Sequence, residues 1–117
     1  EQFSFYRIPK ALFTVPNFRE LSTDAKVLYG ILLDRMSLSL KNQWLDAQNK
    51  VYIIFTVEEI MDALNCANQK ATRLMVELEK QAGLIERKRQ GLGRPNLIYV
   101  KNFAATINDK SCEKGDS

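Results

Sequence analysis

The sequence predicts an α+β protein of the winged helix-turn-helix class, mainly helical with a small antiparallel sheet and one wing. Three observations predict it. Two amphipathic segments at helical spacing, 57–64 and 68–82, are separated only by Asn65, Cys66 and Ala67, as in a helix-turn-helix. A strand-like run over 84–89 follows directly and a second, over 97–100, returns after Gln90-Gly91-Leu92-Gly93-Arg94-Pro95-Asn96, a loop of turn formers. Ahead of the pair lie a long apolar helical segment and a β-branched run. The expected order is helix, strand, helix, helix, strand, wing, strand.

With 117 residues, 45% of them apolar and 26% charged, the chain has material for one core and an ordinary polar surface. We expect one domain over residues 1–107, including an amino-terminal aromatic arm, and a disordered tail or linker over 108–117, where Asn, Asp, Lys, Ser, Glu and Gly dominate. The chain opens on Glu1 rather than Met, so the expectation is a piece of a longer protein. Cys66 and Cys112 are too few and too far apart for a disulfide framework or a zinc cluster, and there is no histidine. No metal or cofactor is expected, and the expected location is a reducing cytoplasm. No apolar run reaches the roughly 18 residues of a membrane span.

Residues 3–18 hold Phe3, Phe5, Tyr6, Phe13 and Phe18 among Ile8, Leu12 and Val15, while Pro9 and Pro16 forbid one long element. The reading is a short extended piece followed by one helical turn near residues 10–13, covering either its own domain or a second subunit. Ser22 or Thr23 caps a helix to about residue 38 or 40, with Asp24 in its first turn. Its stripe of Ala25, Leu28, Tyr29, Leu32 and Met36 is widened by Val27, Ile31, Leu33 and Leu38, so it is buried on more than one side. Residues 51–55 read as a short strand, with Trp44-Leu45 pairing to it across a turn at 46–50. Thr56-Val-Glu-Glu59 matches a capping box. In the following helix over 68–82, Asn68 is the expected N-cap and Gly83 the residue beyond the last turn.

Between Gly83 and Lys101 stand Arg87, Lys88, Arg89, Arg94 and Lys101 against the single acid Glu86, so positive charge gathers on the hairpin although the net charge is only +3. A basic hairpin after a helix-turn-helix points to duplex DNA, whose phosphates supply most of the affinity. On the second helix, Gln69 and Arg73 have the chemistry to read adenine and guanine edges; Asn68, Lys70 and Thr72 suit phosphates or flanking bases. On the wing, Arg87, Lys88, Arg89, Gln90, Arg94 and Asn96 are the expected contacts, with Arg94 suited to a narrow A·T-rich minor groove. Strand alternation places Arg87 and Arg89 on one face and Lys88 on the other. An enzyme is not expected: no base or nucleophile motif occurs, Gly91-Leu92-Gly93 lacks the Gly-Lys-Ser/Thr ending of a phosphate loop, and Glu58 and Glu59 are explained by capping. Residues alone leave a transcriptional repressor of the same fold, or a protein-interaction module using the apolar first helix and arm, as the other readings.

The runs Phe5-Tyr-Arg-Ile-Pro-Lys-Ala-Leu-Phe13, Leu21-Ser-Thr-Asp-Ala-Lys-Val-Leu-Tyr-Gly-Ile-Leu-Leu-Asp-Arg-Met-Ser-Leu-Ser39, Val51-Tyr-Ile-Ile-Phe-Thr-Val-Glu-Glu-Ile-Met61 and Gly91-Leu-Gly-Arg-Pro-Asn96 closely resemble the amino-terminal domain of RepA-type replication initiators. These belong to theta-replicating plasmids of Gram-positive bacteria, and the likeness covers about residues 3–103. It implies a winged-helix origin-binding domain that recognises repeats (iterons) and forms a homodimer or higher assembly. It also implies a separate carboxy-terminal domain, missing here, that engages host replication proteins. It implies no enzymatic chemistry.

Overall fold

Helix α3, Thr23–Lys41, carries the core. The computed structural model describes residues 4–104, so the tail expected over 108–117, with Cys112, lies outside the described residues. Ser22 caps α3 as expected: its hydroxyl accepts from the Ala25 amide at 3.2 Å. Ahead of it the arm forms two short helices, α1 (Ala11–Thr14) and α2 (Pro16–Arg19). The second was not foreseen. Pro16 starts it, because a first helical position needs no N–H donor.

The arm covers its own domain. Leu12 and Phe18 are fully buried with Ala25, Leu28 and Tyr29. Where the chain crosses α3 there is room only for glycine: a Cβ on Gly30 would stand 2.9 Å from Ile8 Cγ1 and 3.1 Å from the Arg7 carbonyl oxygen. Phe5, Tyr6 and Phe13 remain exposed, as does Leu38 from the widened stripe of α3. The Lys26 ammonium lies 4.5 Å from the Phe13 ring centre.

The run 51–55 is not a regular strand. Val51 pairs back with Leu45, whereas Ile53 pairs onward with Ile98 and exchanges both backbone bonds with it at 2.9 Å. Dividing five residues between two partners leaves single bridges in place of a ladder. The turn between Leu45 and Val51 is held by Asp46, which accepts from the Gln48 and Lys50 amides, both at 2.8 Å, and from the Tyr99 hydroxyl at 2.8 Å. Those donors, the Lys50 amide foremost, hold its carboxyl below the usual carboxylate range.

Helix α4, Val57–Leu64, begins with the full capping box: Thr56 Oγ1 accepts from the Glu59 amide at 3.2 Å and Glu59 Oε1 accepts from the Thr56 amide at 2.9 Å. Asn65 turns the chain at φ +53° into α5, Asn68–Val76, followed by a π-helical turn, Glu77–Gln81. Strands β1 (Ile85–Lys88) and β2 (Leu97–Val100) pair antiparallel, Ile85 with Val100 and Lys88 with Leu97. Ile60, Ala71, Leu74, Leu78, Ile85 and Ile98 bury this half against α3. Tyr29 ties the two halves together: its hydroxyl donates to the Lys101 carbonyl at 2.6 Å, and burial pushes its pKa up to about 12. The architecture is a winged helix-turn-helix.

Candidate nucleic-acid interface

Helix α5 buries Ala71, Leu74 and Met75, and at about 100° per residue the opposite side carries Gln69, Arg73 and Val76. The expected cap is displaced by one residue. Ala67 is the N-cap, its carbonyl accepting from Ala71 at 3.0 Å, and Asn68 is already helical with no capping bond. The first turn therefore lacks a side-chain acceptor for its N–H groups, and its end stays electropositive.

The expected regular helix to residue 82 gives way after Val76 to the π turn, closed by the Ala82 amide on the Glu77 carbonyl at 3.1 Å. Three successive side chains are fixed there. Glu77 accepts from the Ser22 amide and the Ser22 hydroxyl, both at 2.9 Å; Leu78 is in the core; Glu79 takes Arg87. The wider turn accommodates all three. Gly83 then follows at φ +66°, the left-handed residue expected beyond the helix.

Two of the expected contact residues are already engaged. Lys70 forms an ion pair with Asp24 at the start of α3, which fastens the amino end of α5 to the scaffold. Arg87 does not face outward: it lies on the face of buried Ile85, where its Nε and Nη2 donate to Glu79 Oε1 at 3.1 and 2.7 Å, while Arg89 stands exposed beyond the end of β1. Side-chain exposures of 26% and 19% make this a half-buried pair, and Arg87 holds the Glu79 carboxyl below its usual range. Arg87 is thus part of the joint between wing and helix.

The other candidates face solvent. Asn68, Gln69, Thr72 and Arg73 are exposed on α5; Lys88, Arg89, Gln90, Arg94 and Asn96 are exposed on the wing. Arg73, Lys88, Arg89 and Arg94 have no acid partner among the described residues. Gln90 donates its side-chain amide to the Pro95 carbonyl at 2.8 Å and so closes the wing loop on itself. Arg94 and Asn96 line a recess of about 260 Å³ beside Thr56 and Val57 at the start of α4.

Sequence reasoning passed over two features. Val76, 40% exposed, stands on the outward face beside Arg73, and both border an open recess of about 640 Å³ with Lys80, Glu20 and Ser22. Its helical phase was a sufficient signal. The Ser22–Glu77 contact joins residues 55 apart, for which no local pattern exists. Among the described residues no cluster of ligating side chains suits a metal ion, and no helix is long and apolar enough to cross a membrane.

A family model described as the replication initiator protein A (RepA) N-terminus matches residues 4–114. A 41 kDa protein of Lactobacillus helveticus is 32% identical over 103 residues, which is 88% of this chain; the chain spans only 28% of that relative's length. Among solved structures, an N-terminal domain of a DNA-binding protein is similar with a TM-score of 0.75 and 38% identity, covering 97% of this chain and 88% of that one. A chain from a Rep–DNA complex gives 0.74 and 38%, over 97% and 89%. An MDR initiator gives 0.74 and 42%, over 97% and 90%.

Proposed function

This chain belongs to the replication initiator protein A (RepA) amino-terminal family, and we propose that it binds duplex DNA at the repeats of a plasmid replication origin to start replication. One observation carries the reading. The outward face of α5 and the adjoining hairpin together hold four cations, Arg73, Lys88, Arg89 and Arg94, with no acid partner among the described residues, whereas Lys70 is paired with Asp24 and Arg87 with Glu79. In the proposed complex α5 enters the major groove by its uncapped amino end. There Gln69 and Arg73 meet adenine and guanine edges, and Asn68 and Thr72 meet phosphates or flanking bases. Lys88 and Arg89 neutralise phosphates, and Arg94 reaches the neighbouring minor groove.

The exposed aromatics Phe5, Tyr6 and Phe13 support a homodimer, which would set two α5 helices about 34 Å apart on successive half-sites. Host replication proteins would be engaged through sequence beyond this domain. Gel shifts on tandem origin repeats and on shuffled duplexes, each at several salt concentrations, test the proposal. Tighter binding to the repeats, weakening steeply with salt, supports it; equal binding to both removes the origin assignment, and binding indifferent to salt removes DNA as the partner.

A further inference from the structure

Leu92 is the one large apolar side chain among the described residues that is fully exposed, at 104% of its reference area. The wing is built to present it. Gly91 and Gly93 on either side adopt φ of +116° and +75°, a backbone that other residues rarely take. Nothing lies within 4 Å of the Cβ position of either, so backbone shape and not crowding calls for glycine there. The Arg94 amide on the Gly91 carbonyl at 3.3 Å and the Gln90 side chain on the Pro95 carbonyl at 2.8 Å close the loop beneath the tip.

We infer that Leu92 is a specificity residue of the wing, entering the minor groove beside Arg94 and selecting A·T pairs there. This rests on the DNA-binding reading above. The chemistry of the surroundings identifies the partner. From Arg87 to Asn96 there is no carboxylate, and Lys88, Arg89 and Arg94, all exposed, stand within four residues of Leu92. An apolar tip on a cationic hairpin fits a ligand with anionic rims and an apolar-tolerant interior. The minor groove, about 6 Å wide between its phosphates, is such a ligand. Glycines flanking Leu92 keep the tip narrow, so a single side chain enters. On its floor A·T pairs present only the adenine N3 and thymine O2 acceptors, while G·C adds the guanine 2-amino group. Leucine cannot accept a hydrogen bond from that amino group and would strip its water, so it excludes G·C by size and by desolvation. Leu92 carries no charge, so its contact releases no counterions.

The test is selection of binding sites from a random duplex library by the wild-type chain, by Leu92→Ala and by Arg94→Ala, followed by affinity measurements on the selected site. Wild type should enrich an A·T tract flanking the sequence read by α5, and Leu92→Ala should enrich that tract much less while keeping the central sequence. Changing one tract pair to G·C should weaken wild type about tenfold, and inosine·C, which lacks the amino group, should restore binding; Leu92→Ala should respond to both changes much less, keeping only the preference that Arg94 supplies. Its salt slope should equal that of wild type, whereas Arg94→Ala should flatten the slope by about one unit. Unchanged tract preference in Leu92→Ala, or failure of inosine·C to rescue, overturns the inference. Normal single-site affinity with loss of cooperative binding on tandem sites places Leu92 against protein and overturns it too. Wild type that enriches no sequence and binds without salt dependence overturns the DNA-binding reading itself, an outcome distinct from the others.

Discussion

The outward face of α5 and the tip of the wing are both basic, yet they are held in opposite ways. Under the α5 face lie Ala71, Leu74, Met75 and Leu78, all in the core, and the helix is pinned at one end by Lys70–Asp24 and beyond the other by Glu77–Ser22. Beneath the wing tip there is one turn bond, one side-chain bond and no buried residue between Arg89 and Asn96. Base readout needs donors placed to within a fraction of an ångström, and a packed helix supplies that. Phosphate contact tolerates looser placement, because charge acts over a Debye length of about 10 Å. The difference therefore matches a division of labour in which α5 reads base edges through placed donors, while the wing clamps phosphate with its cations and senses the groove by the shape of Leu92. A second contrast runs within the basic set: Lys70 and Arg87 have acid partners, the second pair half-buried, whereas Arg73, Lys88, Arg89 and Arg94 have none among the described residues.

The sharpest way to break the comparison is to weaken each region from beneath. Leu74→Ala should cost about 2–5 kcal/mol of unfolding free energy, with loss of DNA binding where the helix is no longer seated. Leu92→Ala should leave the unfolding free energy unchanged within about 0.5 kcal/mol. Equal destabilisation would mean that the tip is part of the core. Next comes the tie between scaffold and sheet. Tyr29 has its pKa raised by burial to about 12. Its contribution is complete below the unfolded value near 10, and about 2–3 kcal/mol is lost as pH rises toward 12. Alkaline denaturation should therefore be blunted in Tyr29→Phe.

On the reading face, Arg73→Ala should weaken specific binding by about 1–3 kcal/mol and relax preference at one base position. Lys88→Ala should weaken all sequences alike, which titrations on specific and random duplexes separate. The smallest effect is expected at the joint. Glu79 and Asp46 have depressed carboxyl pKa values, so their contribution is present above the unfolded carboxylate value and is lost as pH falls through the folded one. Glu79→Gln should flatten the acid limb of the stability profile slightly while leaving DNA affinity unchanged.

Much of this was legible in the residues. The capping box at Thr56, the turn at residues 65–67, the two short strands around a glycine loop and the apolar stripe of α5 are local patterns, and local patterns survive folding. What escaped was set by contacts remote in sequence. Val51 and Ile53 chose different partners, 6 and 45 residues away, so an apparent strand became two bridges. Counting charge along the wing could not separate Arg87 from Arg89, because the acid that claims Arg87 lies on the π turn before the strand. The cap moved from Asn68 to Ala67 because tertiary seating of α5 outweighs a cap preference of about 1 kcal/mol. Leu92 was visible in the sequence as a loop residue, but only its full exposure gives it meaning.

The central claim is that the cations without an acid partner touch phosphate while Arg87, paired with Glu79, holds the wing to the helix, and the salt dependence of duplex binding tests it most directly. Each phosphate contact contributes about 0.9 to the slope of log affinity against log salt. Arg89→Ala should flatten the wild-type slope by about one such unit, and Arg87→Ala should lower stability while leaving the slope unchanged. A slope that falls for Arg87→Ala and stays constant for Arg89→Ala would contradict the account.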